Sequence, residues 1–422
     1  MLLVTLDATR ADALSSYGGA LAHTPRLDEL ARESVRFSQA ITTAPYTGPS
    51  HASLLTGLYP PQHGLRDFLQ QRMNDDVPTL AELLRRQGYR TAAFVSTYVL
   101  DRRFGLGRGF ERYSGDFWEK ATPDGRPRPV QGSASFERPA SETIDEALGW
   151  IRSERTAQPF FVWIHLFDAH APYEPPPAFR RAWPDPNAVS ELDRRRLRYY
   201  DEVRYMDSEV GRLLDALRST RTYDRLLVVV TADHGELLGY HDGRRIETHS
   251  THLVESTLRV PLLVRIPGVL APGVVDAQVS LVDVMPTLLD VLGVPAPAGV
   301  AGRSLVPLAR GEEEAARPAY SETLYERFPH VALPGNELVS FRRAGWKLLT
   351  RPGRSELYDL AADPHALHDV ASAQPEKLAE LQDALEEQRA RFAAHPDATP
   401  LGLSEEEERG HIERLRSLGY VE

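Results

Sequence analysis

Three nearly unbroken apolar runs in this chain stop on an aspartate: Leu2 to Leu6 before Asp7, Phe160 to Phe167 before Asp168, and Leu226 to Ala232 before Asp233. A strand with one wet face alternates apolar and polar residues. One that is apolar throughout is covered on both faces, as in the middle of a parallel sheet packed between helices. Val35 to Ile41 and Arg90 to Ser96 add further strands. Helical patterns lie between them. Thr24 to Glu33 has Thr24 as its N-cap and Pro25 at its first position, and Pro78 to Gln87 carries Leu80, Leu83 and Leu84 on one face and is closed by Gly88. Ala140 to Ser153 is a third, and the charged helix Ser190 to Arg218 reads as a solvated face. The expected fold is α/β: a large mixed, mostly parallel sheet sandwiched by helices. Ligands of such sheets bind at the carboxyl ends of the strands, where runs of this kind deliver their carboxylates.

The 422 residues suit one large domain with a smaller appendage. A Pro-rich linker at Val294 to Ala298 marks the change, giving a catalytic domain over 1–298 and a C-terminal subdomain over 299–422. In the second part, short strands near Ala319 to Thr323, Leu338 to Arg343, Trp346 to Leu349 and Glu356 to Leu360 precede a helix from Pro375 to Phe392. That order describes a small antiparallel sheet with a packed helix, an α+β arrangement. Ser404 to Glu408 reads as an acidic patch, Gly239 to Arg245 as a flexible connection, and the Pro-rich 121–138 and 173–186 as surface loops, the latter at the mouth of the site.

With a net charge of −11 the chain is a poor match for a nucleic-acid backbone. An acidic protein that handles anionic esters needs local positive charge, which a bound metal supplies. There is no cysteine, so neither disulfides nor thiolate metal sites can form, and any metal must take oxygen and imidazole ligands. No apolar run approaches the roughly 20 residues of a membrane span. No basic region precedes Leu2, so the chain as written reads as cytoplasmic, or as periplasmic or secreted if an export signal once preceded it.

The richest local chemistry lies in Pro45-Tyr-Thr-Gly-Pro-Ser-His-Ala-Ser-Leu-Leu-Thr-Gly57, a hydroxyl-rich loop entering a short helix. Pro49 suits a first helical turn, and Gly57 ends the helix. Free N–H groups at that N-terminus attract anions and favour a nucleophile that loses its proton. Four hydroxyls are in reach, Thr43, Thr47, Ser50 and Ser53, and the sequence alone does not rank them. Asp233-His234-Gly235, at the end of a buried run, sets two polar ligands at a partly desolvated edge where both need partners.

Thr47 to Gly57 resembles the signature loop of the sulfatase family in the alkaline phosphatase superfamily, in which a Cys or Ser two residues before the Pro is oxidised to formylglycine. Thr47 holds that place, and Thr cannot yield the same aldehyde, so formylglycine is not expected. The remaining pattern resembles the phosphodiesterases and the phosphoethanolamine or phosphoglycerol transferases, which use an unmodified Thr. Asp7-Ala-Thr-Arg10 is similar to the family's first metal-ligand segment, with Ala8 where most sulfatases carry a second Asp. Asp168-Ala-His-Ala-Pro-Tyr173 resembles the His-x-Pro segment, Asp233-His234-Gly235 the second metal segment, and the stretch before Leu258-Arg-Val-Pro261 the segment that supplies an active-site Lys or His. The resemblance implies an alkaline phosphatase-like fold and a divalent metal on Asp7, Thr47, Asp233 and His234. It also implies Thr47 as nucleophile, with His170 and His249 at the ester oxygens or a second metal. His249 takes precedence over His252 and His241, and His51, where sulfatases carry Arg, is placed to orient Thr47. The family's Lys-x-His pair is missing, and Tyr98, Arg102 and Arg103 in that region read as surface or packing residues. His165 reads as a satisfied core histidine.

A sulfated Thr lacks the aldehyde exit that frees sulfate from formylglycine hydrate. The reading therefore leans to phosphate mono- or diesters, as a small ester, free or carried on a glycan or lipid. Zinc or manganese is favoured over calcium by the imidazole. A phospho-group transferase using the same site, a true sulfuric ester hydrolase and a non-catalytic binding protein are the alternatives. Oligomeric state is left open.

Overall fold

The computed structural model describes residues 1–67, 70–115, 137–153, 158–182, 190–220, 222–241, 244–246, 249–312, 317–325, 337–392 and 399–418. Eight strands form the central sheet: β1 Leu2–Leu6, β2 Val35–Ile41, β3 Arg90–Phe94, β4 Arg112–Ser114, β5 Phe160–Leu166, β6 Val228–Thr231, β7 Arg259–Arg265 and β8 Gly273–Ser280. Their spatial order is β8-β2-β7-β6-β1-β5-β3-β4. Every pairing is parallel except those of β7 with β2 and with β6. The mixed, mostly parallel sheet expected from the apolar runs is thus present, and its three most apolar strands, β1, β5 and β6, are its centre.

Burial explains why these runs do not alternate. Leu2, Val4 and Leu6 pack with one hydrophobic cluster, under helices α1 Pro25–Arg32, α4 Ala140–Ser153 and α5 Glu191–Arg218. Leu3, Trp163 and Val229 point to the other face, under α2 Thr47–Thr56, α3 Leu80–Arg86 and α6 Val284–Val291. Both faces are dry. The charged helix α5 departs from the solvated face expected of it. Thirteen of its residues are buried, among them Tyr199, Val203, Met206, Asp201 and Asp207. The Asp207 carboxylate accepts from the backbone N–H groups of Arg26 and Leu27 and so caps the start of α1. Thr24, at the N-cap position, makes no capping bond and pairs with Ser15.

Beyond the central sheet, β9 Ala319–Thr323, β10 Leu338–Arg343, β11 Trp346–Arg351 and β12 Arg354–Asp359 form an antiparallel sheet in sequential order, against which α7 Pro375–Phe392 packs. This sheet reaches the site through its first strand. Glu322 N–H donates to the Thr43 carbonyl at 3.0 Å, Ser321 Oγ to the Thr42 carbonyl and Thr323 Oγ1 to the Ser250 carbonyl. Two segments differ from expectation. The connection after Gly239 contains a short hairpin, Gly239–His241 with Arg244–Ile246. The acidic patch opens helix α8 Glu405–Ser417, capped reciprocally by Ser404 and Glu407. Residues 121–136 and 183–186 of the expected loops lie outside the described residues.

Candidate active site

Strands β1, β5 and β6 end side by side, with the registers Leu6↔Leu166 and Thr5↔Thr231, so Asp7, the 167–173 turn and Asp233-His234 emerge together. Helix α2 meets them end-on. It begins at Thr47, with Tyr46 extended before it and Gly57 left-handed at its C-terminus (φ 68°), where an L side chain is disfavoured. The hydroxyl therefore sits on the first helical residue rather than in the preceding loop.

The four hydroxyls have different fates. Thr43 Oγ1 donates to Ser53 Oγ at 2.8 Å, and Ser53 Oγ also lies 3.0 Å from His63 Nε2. Ser50 Oγ donates to the Asp233 carbonyl at 2.6 Å. Thr47 Oγ1 alone of the four reaches the carboxylates, 3.1 Å from Asp7 Oδ2 and 3.4 Å from His234 Nε2.

Asp7, Asp233 and His234 are fully buried, and one ligand atom from each falls within 4.8 Å of the others. His234 Nδ1 donates to the Gly235 carbonyl at 2.8 Å, which leaves the Nε2 lone pair facing the carboxylates. Asp7 Oδ1 and Asp233 Oδ2 are buried with no hydrogen-bond partner among the described residues. Two adjacent dry carboxylates, each with an orphaned oxygen, beside an imidazole lone pair and a hydroxyl could hold a divalent cation. The charges agree. Burial and the neighbouring Asp233 push the Asp7 carboxyl well above its usual range. Two buried carboxylates this close favour holding one proton between them, which a cation would displace. Burial lowers the His234 imidazole to about 4, leaving it neutral and able to ligate.

A second group of close ligand atoms, His51, His165 and Asp233, lies deeper. Its rings are committed elsewhere. His165 Nδ1 faces the Ser96 N–H at 3.4 Å, so its Nε2 carries the proton and donates to Asp7 Oδ2 at 3.1 Å. His51 lies over the same face, with Nδ1 2.8 Å from the Thr47 carbonyl and Nε2 3.0 Å from Thr5 Oγ1. It thus contacts the backbone of Thr47, not its hydroxyl. His165 is a satisfied core histidine whose partner is a candidate ligand.

On the open side three imidazoles and a phenyl ring form a row. His249 stacks on His234 at 4.3 Å, His170 meets His249 edge-on at 5.2 Å, and Phe167 stacks on His170 at 4.3 Å. Burial and the nearby His249 lower His170 to about 3. His249 Nδ1 faces Glu236 at 3.3 Å; Glu236 also accepts from Tyr173 OH at 3.0 Å and from Leu237 N–H. Glu236 was not anticipated, although its place two residues after His234 was a usable signal. His252 pairs with Thr251 Oγ1, and the side chain of His241 lies outside those described. Tyr98 bonds to His411 and Arg414, Arg102 to the Tyr113 carbonyl and Arg103 to Asp101, all packing roles.

Known proteins resemble this chain along most of its length. The chicken (Gallus gallus) arylsulfatase K is 27% identical over 91% of this chain and 81% of its own length, and a choline-sulfatase of Rhizobium meliloti is 28% identical over 88% and 82%. The fold is shared with a phosphonate monoester hydrolase of Agrobacterium radiobacter (TM-score 0.76, 24% identity, 93% of this chain and 95% of that one). It is shared equally with a protein solved with its substrate D-glucosamine-2-N,6-O-disulfate (TM-score 0.76, 22% identity, 96% and 99%). An N-sulphoglucosamine sulphohydrolase C-terminal model matches residues 243–394. Since the sulfatase model matches residues 1–294, which carry every strand of the central sheet together with Asp7, Thr47, His170, Asp233, His234 and His249, the chain belongs to the sulfatase family of hydrolases.

Proposed function

We propose that this family member hydrolyses phosphate mono- or diesters through Thr47 and a covalent threonyl intermediate. One observation carries the reading: at the formylglycine position stands a threonine whose hydroxyl lies against Asp7 and His234, in a chain with no cysteine to oxidise. Asp7, Asp233 and His234, with Thr47, would hold a divalent cation, zinc or manganese before calcium, because an imidazole joins the two carboxylates. Such an ion supplies Lewis-acid charge, which lowers the pKa of an adjacent O–H as zinc lowers that of water from about 15.7 to about 7.

The chain's own residues do the rest. Thr47 Oγ1 gives up its proton and attacks phosphorus in line, an ester P–O bond breaks, and the departing oxygen takes up one proton in exchange. Water then attacks the phosphorus of the threonyl phosphate, the Oγ1–P bond breaks, and a proton from the water returns to Oγ1 as the acid is freed. His170 and His249 line the site beside His234; with His170 Nδ1 donating to the Ala171 carbonyl at 2.7 Å and His249 Nδ1 facing Glu236, their Nε2 lone pairs would serve a second cation that meets charge on the non-bridging oxygens. Glu236 orients His249, and His51 holds the backbone from which Thr47 projects. A threonyl sulfate would have to be attacked at sulfur, which favours phosphorus. Hydrolysis of sulfuric esters is the second reading, favoured by the choline-sulfatase and arylsulfatase K names of the relatives.

Purified protein supplied with zinc, manganese or calcium is assayed on nitrophenyl phosphate, its bis-ester, a phosphonate ester and nitrophenyl sulfate, beside Thr47→Ala. The expected result is turnover of a phosphorus ester that Thr47→Ala abolishes. Turnover of the sulfate alone favours the second reading, and full activity of Thr47→Ala on every substrate removes Thr47 from the reaction.

A further inference from the structure

We infer that Thr5 and Trp163 are positioning residues for Thr47, acting through the tautomer of His51; the inference rests on the reading of Thr47 as the nucleophile. In the parallel pairing of β1 with β5, Leu3 lies beside Trp163 and Thr5 beside His165, so Thr5, Asp7, Trp163 and His165 share the face that α2 covers. Thr5, His51 and Trp163 are wholly inaccessible to solvent, and Thr47 is 1% exposed. Their hydrogens are therefore assigned among the polar groups packed around them, which include Asp233 Oδ2 at 3.6 Å from His51 Nδ1.

The assignment has one solution. Trp163 Nε1–H, which can only donate, points at Thr5 Oγ1 from 3.0 Å. At the other end the Thr47 carbonyl, which can only accept, lies 2.8 Å from His51 Nδ1, so Nδ1 carries a proton. In a neutral ring Nε2 is then a bare lone pair, and Thr5 Oγ1, 3.0 Å away, fills it with its own hydrogen. The chain runs in one sense, from indole N–H to hydroxyl to imidazole to carbonyl. With the proton on Nε2 instead, the Thr47 carbonyl would face a lone pair in a dry site. Two hydrogens would also crowd onto Thr5, whose own hydrogen would have no acceptor.

The consequence lies at the start of α2. Thr47 is the first helical residue, and its carbonyl is fixed by the ring of His51, four residues along the same helix. Fixing that peptide fixes the direction of Cβ and keeps Oγ1 toward Asp7. Thr5 thus sets the aim of the attacking oxygen without touching it, from a position two residues before a metal-ligand candidate on the same strand.

The test uses the full-length, metal-loaded protein and the variants Thr5→Val, which keeps shape and loses the hydroxyl, Thr5→Ser, which restores it, and Trp163→Phe. Histidine-selective 15N NMR reads the His51 tautomer, the signal being identified by its loss in His51→Gln. The wild type is expected to show Nδ1 protonated and Nε2 bare, and Thr5→Val a mixture of tautomers. Thr5→Val should lower kcat about tenfold, with KM and metal affinity within about twofold. Thr5→Ser should recover most of the rate and Trp163→Phe fall between. An unprotonated Nδ1 in the wild type, or wild-type kcat in Thr5→Val, overturns the inference, as does a Thr5→Ser as slow as Thr5→Val. Should Thr5→Val not fold, Thr5→Ser and Trp163→Phe decide by the same readings. A wild type that turns over no ester defeats the proposed function alone, because the tautomer in wild type and variants is read without substrate.

Discussion

Replacing Asp7 with Asn should stabilise the metal-free protein and remove its response to metal. The ligand oxygens of Asp7 and Asp233 lie within 4.8 Å of each other. Above the raised Asp7 pKa, where both are ionised, two charges at that separation repel by about 3.5 kcal/mol at an effective dielectric near 20. Against this stand two charge-assisted hydrogen bonds to Asp7, from Thr47 and His165, each weakened by about 1 kcal/mol in the amide. The net gain is about 1.5 kcal/mol. At about 2.1 cal/mol/K of unfolding entropy per residue, a chain of this length shifts by roughly 2 °C. Metal at about 1,000 times its Kd should raise the wild type by about 4 kcal/mol, or roughly 5 °C, and Asp7→Asn hardly at all. The metal-free gain must also depend on pH. Because the folded state raises the Asp7 pKa above the ordinary carboxylate value, the stability linked to its proton is complete below that ordinary value and is lost as pH rises through the raised one. Asp7→Asn removes that slope, so the two proteins should converge in acid and diverge in alkali. Calorimetry after chelation, with and without added metal over a pH series, reads all of this. The reasoning fails if metal-free Asp7→Asn melts below the wild type at about pH 8, or if metal raises both equally.

Other expectations follow from neighbouring residues. Ala8 has a left-handed backbone (φ 50°), which Asp tolerates better than Ala, so Ala8→Asp should fold and tighten calcium binding about tenfold by titration calorimetry; unchanged affinity would show that this position does not face the ligands. Glu236→Ala should lower kcat by about 10- to 100-fold through the freed His249 ring, with Glu236→Gln closer to wild type; equal losses in the two would point to charge instead of orientation. Gly235→Ala would place a Cβ 2.0 Å from the Ser256 carbonyl oxygen and should cost about 2 kcal/mol in thermal unfolding, and a wild-type melting temperature would contradict the close approach.

The sheet was legible because its central strands are buried on both faces and therefore spell themselves out as apolar runs; β1, β2 and α4 keep the boundaries read from sequence. Helix α5 misled because tyrosines and carboxylates are mixed into its buried face among Val203, Met206 and the later leucines, and the role of those carboxylates depends on partners distant in sequence, such as the N–H groups of α1. At the site, Asp7, Asp233 and His234 could be read from their place at strand ends. The ranking of four hydroxyls could not, since it depends on which finds a partner elsewhere: Ser53 at His63, Ser50 at the Asp233 carbonyl. His165 and Thr5 were hidden for a related reason. Each looks like strand interior, and only the register of β1 against β5 shows that they share a face with Asp7 under α2.

If Thr47 is the nucleophile, its oxygen forms a bond to substrate. Rapid acid quench of the metal-loaded enzyme during turnover of a phosphorus ester, followed by proteolysis and mass spectrometry, tests it most directly. The peptide containing Thr47 should carry the mass of one phosphoryl group, localised to Thr47 and absent from Thr47→Ala. A phosphoryl group on Ser50, Ser53 or a histidine instead, or turnover without any adduct at Thr47 when the chemical step is made faster than hydrolysis, would contradict it.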